Sequence, residues 1–264
     1  MLGMFSALWR YRGFVFSSIK NEFVARFARS RLGGLWMIIH PLAQVAIYAL
    51  ILSAVLSAKL PGIDNQYGYA IYLTSGILAW TLFSEVITRC LTLFIEQGNL
   101  MKKMAFPRVS LPAIVMGSCL LNHFFLFVAI FGIFTLLGHP LGLALLYLPL
   151  LTLLTLALAL GLGLVLGVLN VFLRDIGQVV PILLQFLFWF TPIVYPISIV
   201  PEYLREWLVY NPMYSLVSAY HEVLVYNRTP DLFSLLPLVL VSVVFLLAGL
   251  FVFRRASAEM VDVL

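Results

Sequence analysis

The chain has 264 residues, 63% of them apolar and only 10% charged, with a formal net charge of +5. A soluble domain carries about 25% charged residues, so these polar groups are too few to coat a water-facing globule, and the same composition excludes intrinsic disorder. The apolar stretches are continuous, not alternating at period two, which excludes an outer-membrane barrel and predicts helices crossing a bilayer.

Residues 1–31 show no uninterrupted apolar core ahead of a small-residue cleavage site, so a retained segment is expected. On a helix Phe16, Ile19, Phe23 and Phe27 share one face, with Asn21, Glu22 and Arg29 opposite and Lys20 at the boundary. That pattern predicts a helix lying in the interface, as an anchor or as a docking surface. The 27 residues between Arg31 and Lys59 carry no charge and supply a first span, and the 20 between Asp64 and Glu85 a second. Glu85 and Arg89, four apart near its end, are expected to pair on one helix face, a structural role more than a proton relay.

The connection from Gln97 to Leu111 carries Lys102, Lys103 and Arg108, with Pro107 and Pro112 as punctuation and Phe106 as an exposed aromatic. A charge-free block of 65 residues, Val109 to Leu173, follows, broken at Gly138-His139-Pro140. Two crossings there return Arg108 and Arg174 to one face. Gly161, Gly163 and Gly167 predict close helix packing in the fourth span. The fifth runs from Ile176 to about Val200, with Asp175 as its N-cap, and Pro181 and Pro192 within it free carbonyls that need a polar or protein environment.

Residues 201–231 exceed what a plain connection requires. Leu204, Trp207, Leu208 and Tyr210, a break at Asn211-Pro212, then Tyr214, Leu216, Val217, Tyr220, Val223 and Leu224 predict two short amphipathic helices, re-entrant or interfacial. A sixth span over 232–253 and a tail over 254–264 complete the chain. The expected fold is all-α: one polytopic domain over 1–264 with six transmembrane helices, five of them within 32–200.

Orientation follows from Lys and Arg. Of the 16 such residues, twelve fall on the side of the amino-terminal segment, the second and fourth connections and the tail. Lys59, Arg205 and Arg228 fall opposite, so both termini are expected in the cytoplasm. The basic bias matches an anionic inner leaflet and requires no nucleic acid.

No G-x-x-x-x-G-K-[ST] occurs, so this chain has no P-loop for ATP phosphates. His40, His123, His139 and His221 are scattered without a metal-binding pattern, and Cys90 and Cys119 read as small buried thiols. No nucleophile elbow accompanies the serines. The reading is a transport subunit, not an enzyme, with no metal and no cofactor of its own and with energy arriving from elsewhere.

Several segments, in order along nearly the whole chain, resemble the permease subunit of type-2 ABC exporters of the O-antigen, capsular polysaccharide and teichoic-acid class. They are Arg29-Ser30-Arg31-Leu32-Gly33-Gly34-Leu35-Trp36 with His40-Pro41-Leu42, Lys103-Met104-Ala105-Phe106-Pro107-Arg108 with Leu111-Pro112, Phe172-Leu173-Arg174-Asp175, and Thr191-Pro192-Ile193-Val194-Tyr195-Pro196 with Asn211-Pro212-Met213. His221-Glu222 departs from the basic residue expected in such permeases. The resemblance implies a bacterial inner-membrane homodimer standing on two copies of an ABC ATPase that holds ATP and Mg, with a pore between the permeases for a lipid-linked glycan.

It further implies that Lys102, Lys103, Phe106, Pro107 and Arg108 couple to the ATPase, against the plainer reading of a positive-inside loop. Aromatic rings and occasional amides suit a sliding sugar chain, which nominates Gln185, Phe186, Trp189, Phe190, Pro192 and Tyr195 on span five and Gln44 and Tyr48 on span one as the channel wall. Lipid-facing aromatics are the alternative for some of them. Arg174 is a candidate for the lipid headgroup. Rival functions are a small-molecule or drug exporter of the same class, an ion-coupled secondary transporter, and a non-transporting scaffold.

Overall fold

A computed structural model describes residues 2–27, 31–36, 39, 43, 47, 67–103, 106–257 and 259–264. Most of the predicted first span, including the channel candidates Gln44 and Tyr48 and the motif residues Arg29, Ser30, His40, Pro41 and Leu42, lies outside the described residues, as do Met104 and Ala105 of the basic connection. All regular structure among the described residues is helical: α1 (Leu2–Arg10), α2 (Arg12–Phe27), α3 (Gly68–Glu96), α4 (Gly98–Lys103), α5 (Ser110–Leu136), α6 (Leu148–Phe172), α7 (Ile176–Phe190), α8 (Glu202–Leu208), α9 (Pro212–Leu224), α10 (Leu236–Ala256) and α11 (Glu259–Val263), with short 3-10 turns between some of them.

Among the described residues, four helical stretches are long and apolar enough to cross a bilayer: 68–96, 110–136, 143–172 and 236–256. At 1.5 Å per residue, the 29 residues of α3 run well beyond the roughly 30 Å hydrocarbon core, and Glu85 and Arg89 therefore lie inside the helix, not at its end. The fifth segment differs from the expected continuous span. α7 stops after 15 residues at Phe190, and Thr191 adopts an extended backbone, so Pro192 ends the helix where a bend was expected.

The core is a layer of α3, α6 and α10 with α6 in the middle. Glycine decides how closely they approach. A Cβ at Gly167 would come within 2.3 Å of the Cys90 carbonyl oxygen on α3, and one at Gly249 within 2.5 Å of the Gly161 oxygen across the α6–α10 seam. Gly163 faces Cys90 in the same way. Small residues at a seam let backbones touch, which is how helices associate when lipid offers no hydrophobic driving force. The predicted break after α5 is a turn at Gly138, whose φ of 70° suits glycine, and His139 beside it bonds the Leu224 carbonyl oxygen at 2.7 Å, tying that turn to the end of α9.

The amino-terminal segment is two helices, and α2 does not present Glu22 to solvent opposite its apolar face. Glu22 instead meets Arg89 on α3 and accepts a 2.8 Å hydrogen bond from Ser118 on α5. Ile19 lies over Gly117, and the Phe23 ring stacks on Phe125 with centroids 5.4 Å apart. On the 201–231 connection, α8 exposes Tyr203 and Trp207, whereas α9 packs into the core: Met213, Leu216, Val217, Tyr220 and Leu224 are all buried. The Asn211 side chain caps it by accepting from the Met213 amide at 3.0 Å.

Candidate functional site

Two regions at opposite ends of α3 gather the residues that the sequence singles out. At the basic end, α3 passes through Gln97 into the six-residue α4, and Lys102 and Lys103 project into the open from its last turn. The remaining members of the connection are anchored. Phe106 is not an exposed aromatic: its ring sits 5.8 Å from that of Phe14 on α2 and packs against the core. Arg108 donates to the Ser257 carbonyl oxygen, joining the connection to the tail, where Met260 is fully buried and Leu264 lies against Gly98. Pro107 is half-buried between them. The described part of the loop is thus a platform held by α2 and by the tail, with two ammonium groups on its free edge.

Arg174 is exposed in the turn between α6 and α7 and makes no ion pair among the described residues. Asp175 occupies the N-cap position of α7, as expected, but makes no capping bond through its side chain.

α7 presents a broad uncovered face. Ile182, Leu183, Phe186 and Trp189 are each more than half exposed, at 66%, 57%, 68% and 59%, and Gln185 is exposed beside them. Spacings of three and four residues put these on one side. Phe186 and Phe190 stack with ring planes 10° apart, Phe190 being half-buried. Trp189 meets Phe188 edge-on, and Phe188 in turn touches Trp80 of α3.

Pro192 and Tyr195 do not continue that stripe. Past Thr191 the chain turns inward, burying Pro192 and half-burying Tyr195. The carbonyl oxygens released by the broken helix are met by tyrosines of α3: the Tyr72 hydroxyl lies 3.3 Å from both the Pro192 and Tyr195 oxygens, and Tyr69 donates to Val194. Tyr195 itself donates to the Trp189 carbonyl oxygen at 2.8 Å. Thr191 donates to Leu187 at 2.7 Å and accepts from Asn211 at 2.9 Å, linking the break to the cap of α9. Such bonds are what make irregular backbone tolerable at membrane depth.

Sequence reasoning missed this tyrosine pair, although Tyr69 and Tyr72, three apart at the start of a span, were the available signal. It also missed the partner of Arg89. Glu85 is 4.0 Å from Arg89, as the spacing predicts, and also accepts from Asn122 at 2.6 Å, but the closer carboxylate is Glu22. Nothing local in the sequence points from position 89 to position 22.

Neither region holds a cluster of His, Cys, Asp and Glu fit for a metal among the described residues. What the arrangement offers is a basic platform at one end, a ring-rich uncovered wall, and a tyrosine-braced break at the other end.

The family model described as ABC-2 type transporter matches residues 14–225. An O-antigen export system permease protein of Myxococcus xanthus is 29% identical over 268 aligned residues, covering 99% of each chain. A Klebsiella pneumoniae protein of the same description is 24% identical, with 92% of each chain covered. A polysialic acid transport protein of Escherichia coli is 25% identical, covering 91% of this chain and 92% of its own.

Proposed function

Because the chain belongs to the ABC-2 type transporter family, we propose that it is the multi-pass membrane subunit of an ATP-driven exporter that carries lipid-linked polysaccharide, O-antigen-like in class, outward across the bacterial inner membrane. The observation that carries this reading is the near full-length match to relatives described as O-antigen export permeases and a polysialic acid transporter. The uncovered face of α7 supports it, since a helix that leaves four large apolar side chains open is suited to line a passage completed by a second copy.

On this reading two permeases form the pore, and both termini lie in the cytoplasm. Two ATPase subunits bind ATP and Mg beneath them. Lys102 and Lys103 meet the ATPase from the platform edge, while Phe106, Pro107 and Arg108 transmit its movement into the α3–α5 hairpin and the tail. Phe186, Trp189 and Gln185 line the passage, with Gln44 and Tyr48 as the second wall. Arg174 lies where a lipid diphosphate would enter. The decisive experiment reconstitutes the chain with its ATPase in vesicles and follows appearance of a labelled lipid-linked glycan in the lumen. Transport that needs ATP on the platform side and fails without the ATPase is expected; uptake sustained by a proton gradient without nucleotide would refute it.

A second reading rests on one specific feature. A largely apolar cleft of about 630 Å³ between α5 and α6, walled by Phe124, Phe127 and Phe131 with Tyr220 on its floor, has the size and chemistry for a hydrophobic small molecule. Export of such a compound in the same vesicles, with no glycan moved, would favour it.

A further inference from the structure

A separate, half-open cavity of about 240 Å³ lies behind the broken end of α7, walled by α9, the start of α3 and residues 192–198. It differs from the apolar cleft in its lining: Tyr72, Tyr214, Tyr226, His221, Glu222 and Ser218 contribute rings and polar atoms together. Tyr214, Ser218 and Glu222 follow each other at four-residue intervals, so α9 turns one stripe toward the cavity while Met213, Leu216, Val217 and Tyr220 on its other sides are buried in the core.

Two of the polar side chains lining this cavity already have partners. The His221 ring stacks on Tyr72 at 3.7 Å and its Nε2 contacts the Tyr72 carbonyl oxygen at 3.0 Å, so it serves as part of the wall. Tyr72 uses its hydroxyl on Pro192 and Tyr195. Glu222 does not fit this pattern. Its carboxylate is half-buried and makes no ion pair or hydrogen bond with the described residues, and Arg228, whose backbone amide bonds the Glu222 carbonyl oxygen at 2.9 Å, is exposed without an ion pair to it. The Ser218 hydroxyl beside it likewise makes no hydrogen bond with the described residues.

We infer that this cavity is a subsite for one neutral or amino-bearing pyranose unit, held by the tyrosine rings on its apolar faces and by Glu222 and Ser218 on its hydroxyls. The inference rests on the transport reading above for its substrate class and adds a position and a charge preference. Its volume of about 240 Å³ gives room for a single sugar ring. Aromatic faces take the C–H surfaces of a sugar, and an ionised carboxylate is a strong acceptor for a pair of hydroxyls. The same carboxylate, in a half-enclosed site of reduced dielectric, repels uronates, sialic acids and phosphorylated sugars. Being inside one subunit, the cavity forms a station beside the passage, occupied one residue at a time as the chain advances.

The test uses the full chain in lipid nanodiscs and saturation-transfer NMR with methyl glucoside and N-acetylglucosamine as neutral probes and N-acetylneuraminic acid as the anionic one. Neutral probes are expected to bind in the millimolar range, and the anionic probe at least about fivefold more weakly, roughly what one unfavourable polar contact costs. Ser218→Trp, which fills the cavity, should abolish neutral binding. Glu222→Gln, nearly isosteric, should raise anionic binding toward the neutral level. Should Ser218→Trp fail to fold, the Glu222→Gln reversal decides alone. Equal binding of neutral and anionic probes to the unaltered chain, or binding unmoved by both substitutions, overturns the subsite. If such a chain still exports glycan in vesicles, the transport reading stands without it; if neutral sugars bind here but no glycan is exported, the subsite stands and the transport reading falls.

Discussion

Arg89 on α3 donates to Glu22 on α2, and through Glu22 it also reaches Ser118 on α5. Arg89 is thereby flanked by two carboxylates, since Glu85 lies one helical turn away at 4.0 Å. The amino-terminal helix is consequently held by ionic and hydrogen bonds to the spans as well as by any attraction to lipid. The basic platform joins the same two helices, α3 and α5, about two turns away, and there Phe14 of α2 packs against Phe106.

Glu22→Gln should loosen that attachment. Removing one partner of a fully buried pair costs about 3–5 kcal/mol, but these side chains are 22% and 34% exposed, so a loss of about 1–2 kcal/mol is expected after solvent screening. A double-mutant cycle with Arg89→Met, read by thermal unfolding in detergent, should show coupling; strictly additive losses would mean the pair is ornamental.

Tyr69→Phe with Tyr72→Phe strips the hydroxyls that serve the Val194, Pro192 and Tyr195 oxygens. Each abandoned acceptor costs about 1–3 kcal/mol if it stays dry. The doubly substituted chain should remain folded in its α3–α6–α10 layer while residues 191–199 become accessible to a maleimide at an introduced Ile193→Cys, a position that is fully buried. Unchanged labelling would show that these hydroxyls do not hold the break.

Gly167→Ala places a methyl group 2.3 Å from the Cys90 carbonyl oxygen, backbone that can yield only by separating α3 from α6. A loss of about 2–4 kcal/mol is expected, in the range of overpacked and strained cores. Gly132→Ala on α5, with nothing within 4 Å, is the control and should be neutral or stabilise by up to about 1 kcal/mol. Comparable melting temperatures for the two variants would contradict the close seam.

Lys102→Glu with Lys103→Glu reverses the charge on the free edge of the platform. Both side chains are exposed, so folding should be unaffected within about 0.5 kcal/mol. On the proposed function, co-purification of the ATPase and ATP-driven export should drop at least about tenfold, the effect of ~1.4 kcal/mol lost at an interface. Retained export would move coupling to another surface.

Trp189→Ala removes a ring that is 59% exposed, so the unfolding midpoint should barely move. Export in vesicles should slow several-fold if the ring lines the passage, and stay unchanged if it faces lipid. Arg174→Ala gives the matching test at the other end: unaltered export and unaltered binding of the lipid-linked substrate would remove the headgroup role.

Much of the architecture was legible because hydropathy is a one-dimensional signal. Charge-free runs bounded by Arg and Lys placed the spans at 110–136, 143–172 and 236–256 within a few residues, and Gly138-His139-Pro140 marked the turn between two of them. The Asn211-Pro212 break divided α8 from α9 because an Asn cap ahead of Pro is a local device. Phe106, Pro192 and Tyr195 show the limit. Residue type alone made Phe106 an exposed docking aromatic and set Pro192 on a stripe with Trp189, whereas Phe14 covers the first and the early end of α7 redirects the second.

Composition and charge order thus settled, unaided, that this chain is a multi-pass α-helical membrane protein, since that property is a sum over neighbouring residues. Which carboxylate would answer Arg89, which hydroxyls would meet the carbonyls freed at Pro192, and which stripe of α9 would face a cavity were left to the tertiary structure. Each depends on groups far apart in the chain, where a hydrogen bond formed only after the helices had packed selects one partner among many of the same kind.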